Sequence, residues 1–265
     1  MGIVTLLTDW GNRSPLLASI KGNILHEKPD TQFIDICHVI PRFDIVQASY
    51  LFGNIYKNFP EKTIHFIGID KIAEDKNESS EKSYIIIEKD KQFFIGLDSG
   101  FFSLVFDEKP KNMVRVGIEK SVYKYHFNIE LVKYISSVLA DGDIYDLGDK
   151  TENYIEKENF KPIVENNVTI RASIIHVDDF GNVVTNIKRK FFEKVAAGRN
   201  FIIAIRKNEY HIEQLHSWYD EVDRDEIVAI FNANDYLEIA LNQGNASGLF
   251  GINVDSKIRV DFHDN

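Results

Sequence analysis

Three aspartates each close an apolar run: Asp9 in "LLTDWG", Asp70 in "FIGID" and Asp98 in "FIGLDSG". Runs of this kind read as buried strands, so the three carboxylates fall at strand ends. In an open α/β sheet, ligands bind off the carboxyl ends of the strands. A carboxylate there can accept two hydrogen bonds from a ribose diol, or it can cap a turn. A carboxylate cluster could also hold a cation, but the His and Asp residues here lack metal-site spacing, so no metal is assigned. His126 precedes a helical pattern, where it could orient a water or take a proton. His38 ends a strand pattern in "ICHVI", while His65 and His176 sit within strand patterns, which suits structural roles. A second polar corner is "IHVDDFGNVVTNI", residues 175–187. There Asp178, Asp179, Gly181 and Asn182 lie between two apolar flanks, which fits a hairpin turn, a ligand site, or both.

Other chemistries are poorly served. "TDWGNRSP" is neither a dinucleotide fingerprint nor a P-loop. No Gly-x-Ser-x-Gly elbow marks a serine nucleophile. Cys37 and His38 are adjacent strand residues, so they point to opposite faces and do not form a thiol–imidazole pair. As the sole cysteine, Cys37 permits no intramolecular disulfide and reads as a buried structural thiol.

The elements that must position these residues fall into two textures. "GIVTLLT", "QFIDICHVI" and "TIHFIGID" read as strands, alternating with helical patterns in "PLLASIKGNILHEKP" and "DIVQASYLFGNIYKNFP". Strand–helix alternation implies an α/β fold with a mostly parallel sheet flanked by helices. "YIIIEKD" and "QFFIGLD" add two strands joined by a short turn, and "NIELVKYISSVLADG" adds a helix. Residues 149–167 are charged and irregular. Beyond them come short β segments with turn signals, implying a smaller antiparallel β domain. The expected organisation is an N-terminal α/β domain over 1–150, a linker over 151–167 and a C-terminal β domain over 168–265.

The 265 residues carry a formal net charge of −10, which disfavours nucleic acid and anionic membrane as partners. No uncharged apolar run reaches the roughly 18 residues of a membrane span, and "MGIVTLLTDW" lacks a basic signal-peptide start. A cytoplasmic location is therefore expected.

The motifs "LTDWG", "ICHVIPRFDIVQASYLF", "FPEKTIHFIGID", "GLDSGFFS", "HVDDFGNVVTNI" and "YLEIALNQGNASGLFG", in this order, resemble one family. It is the S-adenosyl-L-methionine hydroxide adenosyltransferases, relatives of the bacterial fluorinase and chlorinase. The resemblance runs from about residue 3 to 253. It implies an N-terminal α/β domain, a C-terminal β domain, and a homotrimer with sites between subunits. The implied reaction is attack of water or hydroxide on the ribose 5′ carbon, giving adenosine and L-methionine without a cofactor. The sulfonium is already a good leaving group, so positioning and deprotonating the attacking oxygen are the main tasks.

Carried over position by position, Asp9 is expected to hold the ribose hydroxyls and Phe43 to pack along the substrate. Asp178 is expected to pair with the ammonium group, Asn182 to read the adenine edge, and Ala246 to give a backbone contact to adenine. Asp70 and His126 match two of the three groups that activate water. The third, an arginine, has no match: after Asp70 the chain reads "KIAEDKNESSEKSY", with Lys71 and Lys76 as the nearest cations. A lysine is a point charge and does not reproduce a bidentate arginine fork. "HFNIELV" likewise replaces the family's usual His-Gly-Arg-Asp. The alternative to hydrolysis is therefore a protein that binds S-adenosyl-L-methionine or adenosine without turnover. Halogenation is a minor third reading, because a carboxylate at Asp70 would repel a halide.

Overall fold

The computed structural model describes residues 2–53, 55–69, 83–117, 134–138, 140–157, 161–205 and 210–264. Contacts divide the chain into two compact units, Met1–Lys157 and Glu158–Asn265.

The first unit is built on a seven-stranded sheet in the order β2-β1-β3-β5-β4-β6-β7. β1 (Ile3–Thr8) lies between β2 (Gln32–Cys37) and β3 (Ile64–Gly68), parallel to both. Helix α1 (Pro15–Glu27) connects β1 to β2. Ser14 caps it, accepting from Leu16 N–H, and Pro15 opens it, where a missing N–H costs nothing. Helix α2 (Ile45–Gly53) precedes β3, and Asp44 Oδ1 accepts from the Val46 and Gln47 amides at its start.

The strands alternate sides with period two. Val4 and Leu6 of β1 pack with Ile20 and Ile24 of α1. Leu7 packs on the other side with Ile45, Ala48 and Phe52 of α2. The two helices thus cover opposite faces; the strand that follows β1 in the chain lies on one side of it, and the strand that follows β3 lies on the far side of β3, so the carboxyl ends of β1 and β3 flank a topological switch point.

Beyond β3 the sheet changes character. β5 (Gln92–Leu97) is parallel to β3, but β4 (Ser83–Lys89), β6 (Asn112–Gly117) and β7 (Asp149–Lys150) join by antiparallel pairing. The cause is the turn between β4 and β5. Asp90 and Lys91 both take positive φ, 52° and 58°, as a two-residue hairpin requires, and such a link allows only antiparallel neighbours. A short helix, α3 (Phe101–Val105), follows β5. Residues 134–138 are also helical, with Ile135 and Val138 in the α1-side core.

The second unit is antiparallel, in the order β12-β11-β15-β9-β10-β14-β13, where β11 is Asn200–Ile205 and β14 is Tyr236–Leu241, with β8 (Ile163–Glu165) added on β9. The sequence placed residues 163–165 in a linker. Their backbone bonds are taken up by β9 (Thr169–Val177) instead. Besides β8, β9 serves two longer neighbours: Thr169–Ser173 pair with β15 (Lys257–His263), and Ile174–Val177 pair with β10 (Val183–Lys188), with a register irregularity. An isolated bridge from His216, just beyond β12 (Tyr210–Ile212), to Ile230 of β13 (Ile227–Phe231) curls the sheet toward closure. Helices α4 (Arg189–Ala196) and α5 (Ala246–Phe250) place Phe192, Ala196, Ala246 and Phe250 in the core. No helix among the described residues is long and apolar enough to cross a membrane.

His65 of β3 is fully buried, ringed by Phe52, Tyr56, Phe59 and Phe94, with Nδ1 2.8 Å from Thr5 Oγ1. Burial pushes its pKa down to about 4, and a hydrogen bond with Gln92 opposes this only in part. The folded state therefore keeps the ring neutral where an unfolded chain, near the ordinary 6.5, takes up a proton. Stability from this group is complete above about pH 6.5 and is lost as pH falls toward 4, by roughly 3 kcal/mol in all. Urea unfolding from pH 7 to 4 should show this slope. In His65→Leu, less stable at pH 7, the gap to wild type should narrow as pH falls.

Candidate functional site

Asp9 directly follows β1, at the switch point. Its Oδ2 accepts the Phe43 N–H at 2.9 Å, and its own N–H points to Gly68 O at 3.5 Å. Phe43 takes φ 66°, a conformation a bulky residue rarely holds. It is fixed on both sides: the N–H by Asp9, and the carbonyl by the Ile45 N–H at 3.0 Å. Such local strain persists where the surroundings over-determine it. Phe43 is 40% exposed although its backbone is held in this way. Gly68 explains how closely the ends of β1 and β3 approach. A Cβ there would lie 2.8 Å from Thr8 Cγ2 and 2.8 Å from the Trp10 ring.

Of the other two strand-end aspartates, Asp98 is committed to structure. It is buried, its Oδ2 accepts from Arg115 Nη1 at 2.7 Å, and its Oδ1 accepts the Ile155 N–H at 2.7 Å. Arg115 also donates to Ser83 Oγ and to the Asn153 carbonyl. Asp98 thereby ties residues 153–155 to the sheet edge. Asp70 and His126 lie outside the described residues. Among the described residues no group of His, Cys, Asp and Glu could hold a metal ion. Cys37 is half-buried against the α2-side core, less enclosed than its apolar run implied.

In the second unit the corner between β9 and β10 is organised by Asp178. Its Oδ1 accepts from Phe180 N–H at 3.0 Å and Asn182 N–H at 2.8 Å, and its Oδ2 from Asn182 Nδ2 at 3.0 Å. Three of roughly four acceptor positions on the carboxylate are filled, which leaves capacity for one further donor. The same contact orients the Asn182 amide: with its NH2 toward Asp178, its Oδ1 is presented as an acceptor. Asp179 is exposed. Asn186 Oδ1 accepts the Ser173 N–H, which satisfies a backbone donor where the β9–β10 register shifts.

The corner is locked to α5. Gly181 has φ 84°, and its carbonyl accepts the Ser247 N–H at 2.8 Å. Asn245 caps α5, accepting the Gly248 N–H, and its side chain packs against the bare face of Gly181. Ala246 is fully buried at the first position of α5. Asn245 carried no role in the sequence reading. Its signal was the "NQGNASG" run, where an asparagine precedes a short helix.

Models of two domains match the chain: the SAM hydroxide adenosyltransferase N-terminal domain over residues 4–144 and the C-terminal domain over 172–259. The chain belongs to the SAM hydroxide adenosyltransferase family. A relative named (R)-S-adenosyl-L-methionine hydrolase, from Methanocaldococcus jannaschii, is 26% identical over 277 residues, covering 98% of this chain and 96% of its own. Two solved structures share the fold. One, a conserved protein from Thermotoga maritima, has a TM-score of 0.80 at 23% identity and covers 98% of this chain and 100% of its own. The other, from Thermus thermophilus, has a TM-score of 0.73 at 19% identity, with 99% and 100% covered.

Gly181→Ala places a methyl against Asn245 at a left-handed φ, so it should destabilise the chain by roughly 1–3 kcal/mol. Asn245→Ala alone should cost about 1 kcal/mol through the lost cap. The double variant should lose less than the sum of the two, because the clash disappears. Thermal melts of the three variants and wild type check this.

Proposed function

We propose that this family member hydrolyses S-adenosyl-L-methionine to adenosine and L-methionine. The observation that carries the reading is Asp9: a half-buried carboxylate at the switch point, held in place by the Phe43 amide, in a chain of this family. In the reaction, an oxygen lone pair of water forms a bond to C5′ as the C5′–S bond breaks. The bonding pair goes to sulfur, which leaves as a neutral thioether, and the water surrenders one proton. Asp9 holds the 2′ and 3′ hydroxyls, and the exposed Phe43 ring packs along the ribose. Asn182 Oδ1 accepts from the adenine amino group, and the Ala246 backbone lies along the base. The remaining acceptor position of Asp178 takes the methionine ammonium. Asp70 and His126 orient the water and receive its proton. A homotrimer in the cytoplasm is part of the same reading, and light scattering that gives a monomer would count against the assembly.

The second reading, binding without turnover, is favoured by one observation. The "KIAEDKNESSEKS" segment after Asp70 has no arginine to complete the water-activating set.

The deciding experiment incubates pure protein with S-adenosyl-L-methionine and follows adenosine by chromatography. The relative's name carries an R descriptor beside an L amino acid, which places the R at the sulfonium, so both sulfonium epimers belong in the assay. Adenosine should form from at least one epimer, and Asp70→Ala should abolish it. Tight binding of both epimers with no adenosine above background would select the silent binder. Asp9→Ala should raise KM for the preferred epimer about 10- to 100-fold, the worth of charge-assisted hydrogen bonds to the diol.

A further inference from the structure

Behind Asp9 lies a line of side chains that the reaction does not use. Thr8 is fully buried, and its Oγ1 is 2.9 Å from His38 Nδ1. His38 is 7% exposed, and its Nε2 is 3.1 Å from Asp35 Oδ1, although the ring is turned so that the pair is not aligned as a hydrogen bond. Asp35 Oδ2 in turn accepts from Lys21 Nζ of α1 at 2.6 Å. The carboxylate of Asp35 favours the proton on Nε2, so Nδ1 accepts from the Thr8 hydroxyl.

The order of groups is that of a hydroxyl–imidazole–carboxylate relay. The hydroxyl, however, has no access to solvent, so it is not a nucleophile. What the line reaches is the backbone around Asp9. Thr8 Oγ1 accepts the Trp10 N–H at 3.4 Å, and the His38 carbonyl accepts the Gly11 N–H at 2.7 Å. The peptides that follow Asp9 are thus pinned by one histidine, through its side chain on Thr8 and its main chain on Gly11. Buried polar groups are costly unless they satisfy one another, and this line ends on the turn that aims the Asp9 carboxylate.

We infer that His38 is a positioning residue, which fixes the Asp9 carboxylate for a ribose diol by acting through Thr8. The inference rests on the reading of Asp9 as the diol-binding group. Asp35 and Lys21 hold the imidazole from behind. Asparagine at 38 can place an amide atom where Nδ1 lies and keep the Thr8 contact, whereas glutamine reaches toward Asp35 instead.

The test is calorimetry with two probes, adenosine and 2′,3′-dideoxyadenosine, on wild type, His38→Ala, His38→Asn and His38→Gln. His38→Ala should bind adenosine about tenfold more weakly, the scale of one hydrogen bond, and bind the dideoxy compound as wild type does. His38→Asn should recover adenosine affinity and His38→Gln should not. Equal losses on both probes, no loss on adenosine, or rescue by Gln but not Asn would overturn the inference. Should His38→Ala fail to fold, the Asn–Gln contrast decides alone. Should wild type bind neither probe, the proposed function fails instead. The inference is then decided by hydrogen exchange at the Phe43 amide, which must speed up in His38→Gln and not in His38→Asn.

Discussion

Everything in the first unit depends on the position of β1, flanked by parallel neighbours whose connecting helices pack on opposite faces. That arrangement carries the residues after β2 past the carboxyl end of β1, where the Phe43 N–H meets Asp9. It brings Thr8, Asp9 and Gly68 to one edge. The close approach is possible only because Gly68 has no side chain to meet Thr8 and Trp10. The site is thus a consequence of topology first and of side-chain chemistry second.

The two polar regions solve the same problem differently. At the switch point the Asp9 side chain binds the Phe43 amide, the Thr8 side chain binds the Trp10 amide, and the His38 carbonyl binds the Gly11 amide. At the β9–β10 corner, one carboxylate gathers the amides of its own turn, and a neighbouring helix cap fills the space over Gly181. In both places a carboxylate is aligned by N–H groups before any ligand arrives. Such pre-organisation reduces the ordering that binding would otherwise require.

Much of this was legible in the residues. Strand ends bearing Asp9 and Asp98, the Ser14-Pro15 helix start and the "DDFGN" corner all follow from local pattern, because each is fixed by near neighbours in the chain. Distant partners were not legible. Nothing in "GLDSG" announces that Asp98 is paired with Arg115, and that pairing removes it from the candidate ligands. β6 escaped notice because Arg115 interrupts its apolar run, and α3 because its five residues are too few to show a period. His38 was visible as a strand-end histidine. Its link to Thr8 needed the parallel register of β1 and β2, which no single stretch of sequence contains.

The division of β9 between two neighbours bears on synthesis. Residues 169–173 are held by 257–261, while residues 174–177 lead into the Asp178 corner. A ribosome delivers the corner some eighty residues before it delivers the strand that braces it. Until β15 emerges, β9 is supported on one side only, and its unpaired edge is open to other strands. The order in which the chain is made, as much as its final packing, therefore governs when this corner becomes a fixed surface.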